Sequence, residues 1–328
     1  MQKVNASDTM RAVQGVHDRF FGILRTTLFI KPDVIHFDWI ESFYYRRWKW
    51  LTMLHIPVFF MQVLFAKYVA GIKLVFTLHN LFPHDTKDKQ LHKWVHTLFI
   101  RYVDSVRVFY HASVPKVITL FKLSPAKVEI AEHPHYIDAY PNVVSRTEAR
   151  RKLNLPEDKK VLLFFGTVRA YKGIDQLLHV FKHQNASGAI LLLAGKIHDV
   201  AYAQALCRND LPNIKIHAGF IDVDEVQYYF NACDAVVLPF NEVESSGTVI
   251  LAMSFGKPVI TSSQFSVAEI LAGQKALLYT NDFHAVLQNA LCMTNAQLQE
   301  FGLMNLAFLK QNQTAGLQAI FHKLKFAK

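Results

Sequence analysis

The stretch Glu244-Ser245-Ser246-Gly247-Thr248-Val249-Ile250-Leu251-Ala252-Met253-Ser254-Phe255-Gly256-Lys257-Pro258-Val259-Ile260 decides how the chain is read. It follows the apolar run Asp234-Ala235-Val236-Val237-Leu238-Pro239, so the order is strand, polar loop, apolar helix, Gly-Lys-Pro and a further strand. Pro239 stops the first strand. The loop then sets small hydroxyl residues and a glycine at a helix start, where the first amide groups have no partner within the helix. An anion is well placed there. Ser245, Ser246 and Thr248 each bring a hydroxyl donor, and Gly247 lets a ligand approach the backbone. A simple helix cap by Ser245 or Ser246 accounts for the same residues, so the choice falls to the rest of the chain.

Working outward, strand and helix patterns alternate on both sides. Apolar runs at 161–165, 189–194, 214–217 and 235–238 read as buried strands, with helices expected over 173–182, 200–208 and 224–232 between them. The first half repeats the pattern, with strands at 32–37, 73–78, 105–110 and 127–130. Each of these four ends near a histidine: His36, His79, His111, and His133 with His135. Ligands of open parallel sheets bind beyond the carboxyl ends of the strands, so the recurrence points to one cleft. The expected architecture is α/β, with two doubly wound domains facing that cleft. The basic, proline-containing stretch 141–160 is taken as the boundary, giving domains 1–145 and 146–328, with the helical tail 283–328 expected to pack its last helix back on the first domain.

Composition narrows the class of function. With 328 residues, 51% of them hydrophobic and 19% charged, the chain is globular and long enough for two cores. Three scattered cysteines suggest neither a disulfide framework nor a zinc site. Of the net charge of +10, residues 1–150 hold +8, from 20 Lys and Arg against 12 Asp and Glu. A basic face of this kind suits an anionic membrane surface or nucleic acid. No nucleic-acid motif accompanies it, so no nucleic-acid partner is expected. Between Phe43 and Val69 apolar residues recur at helical spacing among Arg46, Arg47, Lys49 and Lys67, as in a helix lying on a membrane; packing against a sheet explains the same stripe. Pro57 is expected to kink or restart that helix, and its most apolar part, 56–66, is too short to span a bilayer.

The strand at 161–165 opens into Gly166-Thr167-Val168-Arg169-Ala170-Tyr171-Lys172-Gly173. A glycine turn, two cations three residues apart and a second glycine before a helix make a clamp for a diphosphate, Arg169 as a fork and Lys172 as a point charge. Taken with 244–260, this stretch resembles the signatures of the GT-B glycosyltransferases, glycosyltransferase family 4 in particular, the type that builds bacterial polysaccharides and lipid-linked glycans. The likeness runs well through about residues 160–270 and more loosely through 32–135, by Pro32-Asp33-Val34-Ile35-His36 and Phe76-Thr77-Leu78-His79-Asn80.

The resemblance implies two Rossmann-like domains, an acceptor on the first and a nucleotide diphosphate-sugar on the second as co-substrate, with no metal and no other cofactor. It matches Gly166, Arg169 and Lys172 to the diphosphate clamp, Ser245, Ser246, Gly247 and Thr248 to the helix start beneath it, Glu244 to the glutamate on the donor sugar, and His79 to a histidine near the transferred sugar. Asp85, His84 and Asp38, near strand ends, are the candidate bases for an inverting reaction. Three departures stand out: Arg169 lies three residues after Gly166 rather than one, Leu251 or Ala252 replaces the glutamate usual at the ribose, and the chain opens at what resembles the helix after the family's first strand. The implied activity is sugar transfer to a lipid-linked or polysaccharide acceptor by a peripheral protein on the cytoplasmic face of the cell membrane. The alternatives are a sugar-nucleotide epimerase of the same fold and a catalytically silent, membrane-associated binding partner.

Overall fold

The computed structural model describes residues 11–16, 18–81, 88–169, 172–183, 188–197, 212–241, 243, 245–312 and 316–326. The chain forms two compact units, Met1–Glu132 with Thr314–Lys328, and His133–Gln313. The division falls at Glu132/His133 rather than at the expected 145/146, and the end of the chain belongs to the first unit.

The first unit is built on a parallel sheet of β1 (Val34–Phe37), β2 (Lys73–Thr77), β3 (Ser105–Val108) and β4 (Val128–Ile130), side by side in chain order. Short helices α1 (Gly22–Arg25) and α2 (Glu41–Tyr44) flank β1; α3 (Lys49–Leu64), α4 (Lys89–Tyr102) and α5 (Ser113–Phe121) make the crossovers. Side chains of a strand alternate between faces, and β2 shows the result. Leu74 and Phe76 enter the main core with Phe59, Val63, Phe99 and Phe121. Val75 points the other way and joins Ala131, Val34 and the Ile320, Phe321 and Leu324 face of α12 (Gly316–Phe326). That apolar patch is why the last helix, distant in sequence, lies on this sheet, and Lys323 adds an ion pair to Glu129.

Helix α3 departs from expectation. Pro57 lies inside it without ending it, and a wide turn over Phe65–Val69 prolongs it, so the helical stretch Lys49–Val69 is long and apolar enough by length and composition to cross a membrane. Pro57 faces outward, where the Met53 carbonyl that loses its partner stays near solvent. Close to half of the stretch is buried, through Ile56, Phe59, Val63 and Ala66. Apolar residues line both of its faces: Trp50, Met53, Leu54, Met61 and Tyr68 are exposed, while Thr52, His55 and Gln62 are buried beside the apolar core residues. The buried polar groups are bonded, Gln62 accepting from the Leu24 amide at 3.1 Å and donating to the Phe20 carbonyl at 2.8 Å.

The second unit carries a six-stranded parallel sheet ordered β10-β9-β8-β5-β6-β7: β5 (Lys160–Phe165), β6 (Ala189–Gly195), β7 (Ile214–Ala218), β8 (Ala235–Leu238), β9 (Val259–Ser262) and β10 (Leu278–Tyr279). The chain winds outward from β5 through β6 and β7, then returns to lay β8 on the other side of β5. This is the reversal at which doubly wound sheets bind ligands. The basic stretch ahead of β5 is structural. Within α6 (Arg146–Lys152), Arg150 is completely buried and donates to the carbonyls of Ala232, Pro156, Glu157 and Lys159 and, at 2.8 Å, to Asp234. The same Asp234 oxygen accepts the Val161 amide at 2.7 Å, so one ion pair aligns β5 with β8. Helices α7 (Ile174–His183), α8 (Val226–Ala232), α9 (Gly247–Ser254), α10 (Phe283–Cys292) and α11 (Asn295–Gln311) complete the described helices. The helix expected at 200–208 lies outside the described residues.

Candidate functional site

In the second unit the carboxyl ends of β5, β6 and β8 are drawn together by glycines. Gly195, at φ +145°, brings the end of β6 so near β5 that an added Cβ would lie 2.0 Å from the Gly166 carbonyl oxygen. Gly173, at φ +71°, does the same after the clamp: a Cβ there would meet the Pro239 carbonyl oxygen at 1.8 Å. Neither position admits a side chain without backbone movement. The Val168 amide bonds to the Lys196 carbonyl at 2.9 Å, and the Lys172 amide to the Arg169 carbonyl at 3.0 Å, which fixes the turn that carries both cations.

Two of the residues expected at the donor site, Lys172 and Thr248, lie near Gly166. A Cβ on it would lie 3.4 Å from Thr248 Oγ1 and 3.5 Å from Lys172 Nζ, so a hydroxyl and an ammonium close on the same backbone. Burial, and then the Arg169 charge, push Lys172 down to about 8. Both effects penalise its charged form, and an anion bonded to it reverses them. Ser246 is the N-cap of α9 and accepts the Val249 amide at 3.3 Å. Of the two readings considered for this stretch the cap is seen: Ser246 makes it, and Gly247 and Thr248 begin the turn. Ser245 immediately precedes the cap. Leu251 and Ala252 are buried in the core, so no carboxylate stands at the position the resemblance assigns to the ribose. Glu244 lies outside the described residues.

Two residues that sequence reasoning treated as a turn, or did not consider, stand at this helix start. An added Cβ on Gly247 would be 3.2 Å from Tyr136 Oη and 3.9 Å from His133 Nε2. The segment is held along α9 by the Tyr136 amide, which donates to Ser254 Oγ at 3.0 Å. Burial raises the Tyr136 phenol, keeping it a donor at neutral pH. The only signal in the sequence was the run His133-Pro134-His135-Tyr136, which says nothing of a partner more than a hundred residues away.

In the first unit the strand ends carry a different chemistry. His79, just past β2, places Nε2 2.8 Å from Asp38 Oδ1, just past β1. His36 Nε2 is 3.7 Å from the same oxygen and 2.7 Å from Thr77 Oγ1. The Trp39 ring stacks on His79 at 4.8 Å and 12°, and Phe109 approaches it at 5.3 Å. Burial works to raise the Asp38 carboxyl, but the His79 hydrogen bond and the charges of His36, His79 and Arg107 outweigh it and hold it below the usual range. His36 is lowered chiefly by burial. Arg107, buried and donating to the Ala131 and Glu132 carbonyls, is pushed down to about 10, also by burial. His79 thus has a partner in Asp38, which the sequence named only as an independent candidate base. Asp85 and His84 lie outside the described residues.

Glycine-drawn strand ends at a strand-order reversal, on one of two parallel α/β units, fit the GT-B fold. Residues 145–290 match the family Glycosyl transferases group 1. Over 281 residues, 83% of this chain and 74% of the relative, it is 26% identical to a GDP-mannose:glycolipid 4-beta-D-mannosyltransferase of Xanthomonas campestris pv. campestris. The solved structures agree on the fold. A sucrose-phosphate synthase from Thermosynechococcus elongatus matches at TM-score 0.71 with 18% identity, over 92% of this chain and 74% of that one. Anabaena HepE, in complex with UDP and glucose, matches at 0.71 with 18% identity, over 92% and 79%.

Proposed function

We propose that this glycosyltransferase moves a sugar from a nucleotide diphosphate-sugar to a lipid-linked or polysaccharide acceptor, as a peripheral protein on the cytoplasmic face of the cell membrane. The observation that carries the reading is the closure of Lys172 Nζ and Thr248 Oγ1 on Gly166 at the start of α9. In sugar transfer the departing group is a diphosphate, and an ammonium, a hydroxyl and helix-start amides stabilise the charge that develops on it. Arg169 adds a second cation, and Tyr136 a further donor. The relative's name gives GDP-mannose as donor and a glycolipid as acceptor, which supports the same classes here.

The exposed apolar residues of α3 support the membrane assignment. Trp50, Met53, Leu54, Met61 and Tyr68 offer an apolar stripe outward, next to Arg46, Arg47 and Lys49, and the first half of the chain holds most of the positive charge. Aromatic and aliphatic side chains beside cations suit an anionic lipid interface. Among the expected catalytic residues, Glu244 is assigned to the donor sugar and His79 to the reaction centre, with Asp85 the alternative carboxylate base. Labelled GDP-mannose and UDP-glucose, incubated with the protein and a membrane lipid extract, test the reading. Label in lipid is expected. Free, interconverted sugar nucleotide instead identifies an epimerase, and binding with neither outcome a silent partner.

A further inference from the structure

We propose that His92 is a proton-operated latch: neutral, it holds α2 against α4, and on taking up a proton it releases α2 and with it the residues at the end of β1. The inference does not depend on the function proposed above and lies wholly within the first unit. It starts from polar side chains in the core. His92 and His96 stand one turn apart on α4, hence on one face, and are only 1% and 3% exposed. From α2, Tyr44 Oη meets His92 Nδ1 at 2.6 Å, and Glu41 Oε1 meets His96 Nε2 at 3.0 Å. His92 Nε2 and His96 Nδ1 are buried without a hydrogen-bond partner. An unsatisfied ring nitrogen costs stability that a leucine in its place would not, so packing alone does not account for the imidazoles.

The surroundings accept His92 uncharged but not charged. An imidazolium has two N–H donors; Tyr44 can accept one, and the other would be left unbonded in the core. The groups around the ring are Glu41, Tyr44 and Tyr45 from the α2 side, Asp88 and His96 from the α4 side, and Lys49 at the start of α3, which pairs with Asp88 at 3.9 Å. Burial lowers His92; Glu41 and Asp88 oppose this, His96 adds to it, and the net direction is down. Glu41 is already bonded to His96. Burial works to raise its carboxyl, but that bond and the charges of His96 and His92 outweigh it and hold it below the usual range. Glu41 can offset one imidazolium, and two of them one turn apart repel each other.

Release of α2 reaches the strand end because Asp38, Trp39 and Ile40 alone separate it from β1. Helix α2 has four residues and no side-chain cap, so it is held by what its side chains meet. Ser42 Oγ donates to the Trp39 carbonyl at 3.1 Å, and the Trp39 ring stacks on His79. Acid thus loosens Trp39 and Asp38 together. The released state, with a histidine near the ordinary value of about 6.5, binds the proton more readily than the latched state. The latch is therefore fully set above that pH and lost as pH falls below it.

Amide hydrogen exchange of the full chain at pH 7.5 and 5.5, corrected for the intrinsic effect of pH, tests this. Segments 38–45 and 89–97 should lose protection about tenfold at the lower pH, since each pH unit below the ordinary histidine value is worth a factor of about ten. Segments 161–165 and 235–238 of the second unit should change little. Glu41→Gln removes the offsetting charge, so its release should come at higher pH than in the wild type. His92→Gln takes up no proton there and should be equally protected at both pH values; should it fail to fold, the wild type and Glu41→Gln decide. Equal protection of the wild-type segments at both pH values, or loss spread evenly over both units, would overturn the latch. So would release of Glu41→Gln at lower pH, or a folded His92→Gln that still opens in acid.

Discussion

The two units put different chemistry at the ends of similar parallel sheets. In the second, Lys172, Thr248 and the start of α9 close on a glycine backbone. In the first, an imidazole is aligned on a carboxylate beside two aromatic rings. One end is built from main chain and cations, the other from side chains alone. Damage to the second unit should therefore appear as lost donor affinity, and damage to the first as lost turnover with affinity intact.

The sharpest way to break this division is Gly173→Ala. The added Cβ would overlap the Pro239 carbonyl at 1.8 Å in a left-handed backbone, and about 3–5 kcal/mol of stability should be lost, measured by denaturant unfolding. Gly166→Ala makes only ordinary contacts at 3.4 and 3.5 Å, so its cost should be the conformational strain of about 1–3 kcal/mol. If the two cost the same, the packing account of the cradle fails.

Smaller changes sharpen the comparison. Lys172 titrates near 8 before an anion binds, so the affinity for GDP or UDP should fall as pH rises through that value, and Lys172→Met should flatten the curve. The sign is set by the ammonium being the binding form, present below the pKa and lost above it. A wild-type affinity level between pH 7 and 9.5 would remove Lys172 from the site. The smallest effect is expected on α3: Trp50→Glu or Met61→Glu should weaken co-sedimentation with phosphatidylglycerol vesicles by about 1–3 kcal/mol each while leaving GDP and UDP affinity unchanged. Equal sedimentation of the variants would return the stripe to a plain surface.

What was legible in the sequence follows the same division. Residues 160–173 and 234–260 are compact segments in which strand, glycine, cation and helix succeed one another, so Gly166, Lys172 and Thr248 were recognisable from order alone, and the structure brings them together. His79 was recognisable by its place after a strand, but not its bond to Asp38, because that pair depends on which strands become neighbours. Tyr136 was missed for the same reason: its partner helix begins more than a hundred residues later. Arg150 shows the opposite error. Its charge helped make 141–160 look like a domain boundary, yet five hydrogen-bond donors in one rigid fork can satisfy a ring of carbonyls and an aspartate, and a fully buried arginine results. On α3 the sequence offered a membrane-facing or a sheet-packed apolar stripe, and the structure has apolar residues both buried and exposed, because periodicity gives a stripe without saying which side the protein covers.

The most direct test of the central claim, that the second unit holds the donor's diphosphate, is calorimetric titration of GDP and UDP into the wild type, Arg169→Ala and Lys172→Ala. Each substitution should cost roughly 1.5–3 kcal/mol, a loss of about 10- to 150-fold in affinity for the nucleotide that binds. Unchanged affinity in both variants would contradict the account.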